Sequence, residues 1–433
     1  MSDTSRHSGA ATAELVHAAA PWRPDAATAS PKDLGSHLTG TLLLVLGGLA
    51  ALGALSTNII LPSVPAMAGA FGVSTPTLGV MQSAFLIAFA VGQLFVGPLS
   101  DRFGRSAFVV GGLAVFVAGS LACAIATGLP ELIAGRIVQG LGASAASMLA
   151  RAIARDLFEG EALARVLALT MVAMAAGPGF SPLLGGAPDH LVGWPSTFLI
   201  LGALAAVVAV AYAVLVGETH HRSRRIALHP VSVVQAYGRL AVDRRFFLPA
   251  TAVALLMGGL FAMFTASPAI LMDGLGFSAI QLGSFFAATV FLVFAAGLLA
   301  PRLAARHDPG RVAMAGLVIA FGGGALLLGL KAADVGGLAA YAAPVSVFLF
   351  GMGLANPLGT AMTLSPFGDR AGLASALLGF VQMAGAAVGA MLATSLALTP
   401  VTALGSVLTS FLGLAILLFA ARRDWRHHAG RKA

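Results

Sequence analysis

Apolar residues in this chain fall into long runs that are separated by short polar segments. Each run is about 20 residues long, which is the length that an α-helix needs to cross the hydrocarbon core of a bilayer. Twelve runs can be distinguished, at about 41–61, 77–99, 107–127, 130–150, 163–187, 194–216, 246–270, 279–300, 312–330, 336–360, 372–394 and 400–421. The pattern predicts an all-α integral membrane protein with twelve transmembrane helices.

The longest polar connector, residues 217–245, lies between the sixth and seventh runs. Secondary transporters are commonly built from two repeats with the substrate site between them near the membrane midplane. We therefore expect two six-helix halves, 41–216 and 246–421, joined by a cytoplasmic linker. Residues 1–40, rich in Ala, Pro and Ser, are expected to form a disordered cytoplasmic tail rather than a signal peptide, and residues 422–433 a basic cytoplasmic tail.

The composition is that of a membrane protein, and the distribution of basic residues along the chain predicts its orientation. The chain is 58% apolar and 10% charged, with a mean hydropathy of +0.92, which excludes a water-soluble globule. With the N-terminus inside, 23 of the 25 Lys and Arg residues fall in inner segments, while Lys331 lies outside and Arg136 within a run. This bias predicts that both termini are cytoplasmic. Because the basic residues are scattered, the net charge of +8 does not indicate a nucleic-acid partner.

One strongly ionisable side chain is predicted to lie at membrane depth, away from the ends of the runs, and it is that of Arg136 in the fourth run. A charge at membrane depth is costly and by default indicates function. Gln139 lies one helical turn further on, so both side chains can project from one face into a polar cavity. Asn58, Gln82 and Asn356 are the further candidates for a substrate or coupling site, because each is a polar residue within a run.

Catalysis at a buried site would need His, acidic, Cys or metal-ligand residues grouped at helical spacing. The apolar runs contain no such group. We therefore expect neither an enzyme nor a metal site.

A second group of residues joins the second and third runs, from Gly97 to Arg105. A tight turn between antiparallel helices needs glycine, which Gly97 and Gly104 supply. Asp101, Arg102 and Arg105 can pair with each other or with helix ends, in contacts that break when the halves rock. The segment is predicted to be a short loop that acts as a conformational gate.

The fifth run is dense in residues that disfavour a regular helix. Gly177, Pro182, Gly185 and Gly186 lie within ten residues, where a bilayer tolerates irregular backbone only if it is packed or lines a cavity. This segment is expected to act as a hinge or as a tight seal against the other half. Asn356 precedes a proline and marks a possible second break, in the tenth run.

Together these three motifs resemble the major facilitator superfamily, in particular its drug-exporting branch with twelve spans. The segment 97–105 is similar to motif A of that family. Motif B is matched by Arg136, Gln139, Gly140 and Gly142. The fifth-run glycines and Pro182 are similar to motif C, the antiporter signature, although Ser181 stands where the family usually has glycine.

Within that branch the chain resembles the bicyclomycin and chloramphenicol resistance proteins. The similarity rests on three segments, 56–67, 180–182 with Gly193-Trp194, and 365–376. The resemblance implies export of amphiphilic drugs in exchange for protons. We also expect a bacterial inner-membrane location, no cofactor and a monomeric protein. The chain departs from the group at Asn58, where an aspartate is usual.

The departure at Asn58 affects the expected coupling, because an amide cannot take up and release a proton in the physiological range. Coupling could run through Asp101 or through water near Arg136, or transport could be uncoupled. The charge of Arg136 is expected to favour neutral or anionic amphiphiles over permanent cations. The alternative function is a metabolite carrier of the same fold, either an exporter or an importer.

Overall fold

The computed structural model of the protein describes residues 36–159, 162–163, 166, 169–170, 181, 192–220 and 230–429. Two compact units are distinguished, 1–41 and 42–433, and the contacts below lie within the second. Within the described ranges all regular structure is helical. In chain order the α-helices are α1 (Ser36–Asn58), α2 (Val64–Phe71), α3 (Gly79–Phe103), α4 (Arg105–Ala124), α5 (Leu129–Leu157), α6 (Pro195–Leu215), α7 (Pro230–Val242), α8 (Arg244–Ser267), α9 (Ala279–Arg306), α10 (Pro309–Ala332), α11 (Leu338–Leu364), α12 (Ala371–Ser395) and α13 (Pro400–Ala429).

Eleven helical segments in the described residues are long and apolar enough to cross a membrane. They correspond to eleven of the twelve predicted runs, and the predicted fifth run, 163–187, lies mostly outside the described residues. The first span joins α1 and α2 through a 3₁₀ turn at Leu61–Ser63, and a π-helical segment, Pro268–Asp273, follows α8. The predicted all-α membrane fold is confirmed.

Four local features differ from those predicted. Helix α1 begins at Ser36, inside the segment expected to be a tail. The expected linker 217–245 contains helix α7, which forms because its apolar residues recur at helical spacing on one side. The expected loop 97–105 is mostly helix, since α3 continues to Phe103. The possible break before Pro357 is not formed, because α11 continues through it.

Glycines bring the helices into backbone contact. Membrane helices associate through such close packing, because lipid tails are as apolar as the side chains and the hydrophobic effect does not favour association. A Cβ atom on Gly142 of α5 would lie 2.6 Å from the carbonyl oxygen of Gly112 on α4. A Cβ atom on Gly389 of α12 would lie 2.6 Å from the Cα atom of Gly258 on α8. At these positions the spacing between two helices is set by the absence of a side chain.

Helix α5 packs against α3 and α4, whereas α8 packs against α12 and α13. The most extensive described contact between the first six and the last six predicted spans joins α3 to α12. Gly79 lies against Thr394 near one end of this contact, and Gln93 lies against Gly379 nearer the other. Helix α3 therefore contacts both the helix that carries Arg136 and the second set of spans.

Candidate functional site

The first candidate span is interrupted where α1 ends at Asn58, in a buried part of the bundle. Pro62 has no amide hydrogen, so it cannot donate to the carbonyl oxygen of Asn58 four residues earlier. The last carbonyl groups of a helix lack intrahelical donors and carry a partial negative charge. The break therefore presents acceptors and negative potential inside an apolar bundle.

The guanidinium of Arg136 lies at this break and is 0% exposed. Its Nη1 atom donates to the carbonyl oxygen of Ser56, at 3.2 Å, and also to the side-chain oxygen of Gln139. Its Nη2 atom donates to Oε1 of Gln82, at 3.2 Å. The Cζ atom lies 4.1 Å from the ring centre of Phe85. Helices α1, α3 and α5 thus meet around one cation.

The two glutamine amides are held in turn by their own donor groups. Gln82 donates through Nε2 to the carbonyl oxygen of Thr57, at 3.1 Å, and Gln139 donates through Nε2 to Oγ of Ser120, at 2.8 Å. Each glutamine therefore turns its oxygen toward Arg136. We call Arg136, Gln82, Gln139, Ser56, Thr57, Phe85 and Ser120 the Arg136 cluster.

No Asp or Glu in the described part of the chain forms a salt bridge with Arg136. Its charge is compensated by the carbonyl end of α1, two amide oxygens and the face of Phe85, each of which stabilises a buried cation. The Nε atom of Arg136 is buried and has no hydrogen-bond partner among the described residues. The cluster therefore keeps a buried cation without a carboxylate from the described part of the chain.

Asn58 adjoins the cluster through Thr57 and is 1% exposed. Its Nδ2 atom donates to the carbonyl oxygen of Ala54, at 2.9 Å, and to Oγ1 of Thr57, at 2.8 Å. Its Oδ1 atom is buried without a partner in the described structure. Asn356, on α11, is half-buried, and no hydrogen bond among the described residues joins it to the cluster. The structure thus groups four of the five predicted polar residues and leaves Asn356 apart.

The predicted gate contains a turn of one residue, Gly104, rather than a loop. Gly104 has a φ of +105°, a conformation that favours glycine, and Arg105 begins α4 directly after it. Gly97 is not part of the turn: it lies within α3, where a Cβ atom would approach the Cε atom of Met148 to 2.7 Å. Its role is close packing of α3 against α5.

Arg105 is the centre of the charged residues at this end of α3. Its Nη1 atom lies 2.5 Å from Oδ1 of Asp101, and its Nε atom lies 3.1 Å from Oδ2 of Asp156 on α5. Its backbone amide donates to Glu218, at 2.9 Å. Arg102 is exposed and lies over the ring of Phe103, with its Cζ atom 5.0 Å from the ring centre. Arg105 therefore joins three segments of the chain, and Arg102 does not share these contacts.

Asp156 and Glu218 are the two members of this group that the sequence reasoning missed. Both follow an apolar run at the end of the bundle predicted to be cytoplasmic, so a survey of acidic residues at that end would have found them. The predicted hinge residues Gly177, Pro182, Gly185 and Gly186 lie outside the described residues. Ser181, between them, is helical and buried.

A family model described as the Major Facilitator Superfamily matches residues 46–390. Multidrug resistance protein D of Escherichia coli (strain K12) is 30% identical over 380 residues, covering 87% of this chain and 94% of that protein. Multidrug resistance protein MdtL of Citrobacter koseri is 27% identical, covering 86% of this chain and 95% of that protein. The uncharacterized MFS-type transporter YdgK of Bacillus subtilis (strain 168) is 30% identical over 79% of this chain and 85% of its own length.

Solved structures share the fold at much lower sequence identity. A D-xylose-proton symporter is 17% identical with a TM-score of 0.67, covering 89% of this chain and 96% of that chain. A peptide transporter POT in complex with alafosfalin is 16% identical with a TM-score of 0.70, covering 88% and 94%. Because the family model matches more than half of the chain, this chain belongs to the Major Facilitator Superfamily and is a transporter rather than an enzyme.

Proposed function

We propose that the protein exports small amphiphilic compounds, including phenicol- or bicyclomycin-like drugs, across the bacterial inner membrane by alternating access. The observation that carries this proposal is the similarity to curated multidrug resistance proteins over more than four fifths of both chains. The resemblance to the bicyclomycin and chloramphenicol resistance proteins, described above, supports the drug class.

The Arg136 cluster supports a preference for neutral or anionic substrates. The Arg136 guanidinium pairs with no carboxylate in the described part of the chain, and such a cation gives its surroundings a positive potential that opposes the entry of a permanent cation. The Oδ1 atom of Asn58, which has no partner among the described residues, can accept a hydrogen bond from an uncharged polar group. Small-molecule sites commonly combine apolar walls with a few polar groups of this kind.

We also propose that export is linked to proton entry through a group other than Asn58. The Asn58 amide cannot titrate. Asp101 has a side chain that is 44% exposed and therefore accessible to water, and it is paired with Arg105. Water near Arg136 is the other route for a proton. If transport is uncoupled, drug export will survive treatment with an uncoupler.

The test is drug resistance in a host that lacks its own efflux pumps. The full chain is expressed, and growth is measured against a compound panel with and without an uncoupler. We expect protection against phenicols that the uncoupler abolishes and that Arg136→Ala removes. Arg306→Ala is the matched control, because Arg306 is exposed at the end of α9.

Three results would contradict parts of the proposal. Protection against no compound in the panel, from a protein shown to be in the membrane, would favour a metabolite carrier of the same fold. Protection that survives the uncoupler would contradict proton coupling. Normal transport of every substrate by Arg136→Ala would remove Arg136 from the substrate site.

A further inference from the structure

Helix α7 is tied to helix α3 by one side-chain hydrogen bond. The hydroxyl group of Tyr237, which is half-buried, donates to the carbonyl oxygen of Leu94 at 3.2 Å. The two residues are 143 positions apart. Tyr237 lies in the connector between the predicted halves, whereas Leu94 lies in the second span.

The carbonyl group of Leu94 needs a donor because of Pro98. In an α-helix the carbonyl oxygen of residue 94 would accept from the amide of residue 98, and proline has none. An unpaired carbonyl group in apolar surroundings is costly, and membrane helices with proline commonly satisfy it with a side chain from elsewhere. Tyr237 supplies the missing donor.

Helix α7 is itself packed on the second set of spans. Leu240 of α7 forms a buried cluster with Phe246 of α8 and with Leu377 and Leu378 of α12. Tyr237 and Leu94 pack against the edge of this cluster. The hydroxyl group of Tyr237 therefore connects α3, in the first half, to helices of the second half.

The hydroxyl group is available as a donor at every physiological pH. Burial raises the pKa of Tyr237 to about 12, and the nearby carboxylate of Asp101 adds to the shift. Asp101 lies one turn beyond Pro98 and is paired with Arg105. The bond to Leu94 therefore sits beside the charged residues around Arg105.

We propose that Tyr237 is a positioning residue that holds α3 against helix α7 in the state shown here and releases Leu94 when the two halves rock. Pro98 makes the bond possible because it leaves the Leu94 carbonyl without a helical donor. The proposal rests on alternating access, which is part of the proposed function, but it does not depend on which compound is transported.

The test measures the distance between α3 and α7 in the full chain, in lipid nanodiscs without substrate. Spin labels are placed at Phe103 and Gln235, both exposed, in a Cys123→Ala background. We expect Tyr237→Phe to lower, by about fivefold, the ratio of molecules with α3 close to α7 to molecules with the two helices separated. This is the effect of losing one hydrogen bond of ordinary net strength.

Pro98→Ala provides the decisive comparison. This substitution restores an amide donor to Leu94, so Tyr237→Phe should shift the distance distribution by less than about twofold in the Pro98→Ala background. Tyr341→Phe is the matched control, because it removes a buried hydroxyl group that bonds to Ser267 at 2.8 Å, away from α3 and α7. It should leave the distribution unchanged.

The proposal is overturned if Tyr237→Phe leaves the distribution unchanged in the parent chain. It is also overturned if Tyr237→Phe shifts the distribution equally with and without Pro98. Because no drug is present, a chain that fails to export drugs can still show these shifts. A working drug exporter that shows none refutes the role of Tyr237 alone.

Discussion

At the scale of single residues, the environment of Arg136 explains how a cation is kept inside the bundle. Its partners are neutral acceptors from three helices, namely the Ser56 carbonyl and the amides of Gln82 and Gln139. Each acceptor would be left unpaired in a buried site if the guanidinium were removed. The Arg136 side chain therefore has two roles: it joins three helices by hydrogen bonds, and it places a positive charge in the bundle. Both roles can be measured.

We predict that Arg136→Ala lowers the free energy of unfolding by about 3 kcal/mol, because several buried acceptors lose their donor at once. Thermal or denaturant unfolding in detergent measures the loss. Arg306→Ala, at an exposed position, should change stability by less than about 0.5 kcal/mol. Equal stabilities for the two variants would contradict the buried hydrogen-bond network.

The pair Arg105 and Arg102 gives a second residue-level prediction. Arg105→Ala should destabilise the protein by about 2 kcal/mol or more, because Asp101 and Asp156 lose the cation between them. Arg102→Ala should be nearly neutral, since Arg102 is exposed. Unfolding of both variants under the same conditions tests this, and a larger loss for Arg102→Ala would be inconsistent with the structure.

The sequence predicted part of this residue-level picture. Arg136 and Gln139 are three residues apart on one helix, so their proximity follows from helical geometry. The Ser56 carbonyl group was not foreseen, because a backbone acceptor becomes visible only when the helix break is known. The contact of Glu218 with Arg105 was also missed, since it joins residues 113 positions apart.

At the scale of the helices, close packing depends on positions without a side chain. Gly142 places α5 in backbone contact with α4, and so holds Gln139 beside Ser120. Gly111, on α4, has open space where a Cβ atom would lie. The two glycines therefore form a matched pair, one at a tight contact and one exposed to lipid or solvent.

We predict opposite effects for these two glycines. Gly142→Ala should lower the free energy of unfolding by about 2 kcal/mol, because the added methyl group would overlap backbone atoms of α4. Gly111→Ala should raise it by up to about 1 kcal/mol through helix propensity. Unfolding measurements on both variants test the packing, and a stabilising effect of Gly142→Ala would show that the helices are further apart.

Long apolar helices were predicted well, and the short helix in the polar connector was not. The eleven described spans agree with the apolar runs because each needs about 20 apolar residues. Helix α7 was not predicted because, at 13 residues, it is too short to be a span and it lies in a polar connector. Helix α3 continues past its apolar run to Phe103, and Asp101 and Arg105, four positions apart, pair across the turn at Gly104.

At the scale of the whole molecule, the distribution of Lys and Arg predicts its orientation. Twenty-three of 25 basic residues lie in segments predicted to be cytoplasmic. We expect a fluorescent reporter fused to the C-terminus to be active and a periplasmic phosphatase reporter to be inactive there. The reverse result would contradict the predicted orientation and the cytoplasmic location of the Arg105 contacts.

We propose that Arg136, which has no carboxylate partner among the described residues, makes this transporter favour neutral or anionic amphiphiles over permanent cations. The most direct measurement is uptake into proteoliposomes of the purified chain, comparing a neutral phenicol with a quaternary ammonium dye of similar size under an imposed proton gradient. We predict phenicol transport at least about tenfold faster than transport of the dye. Rapid transport of the dye without transport of the phenicol would contradict the role of Arg136 in excluding permanent cations.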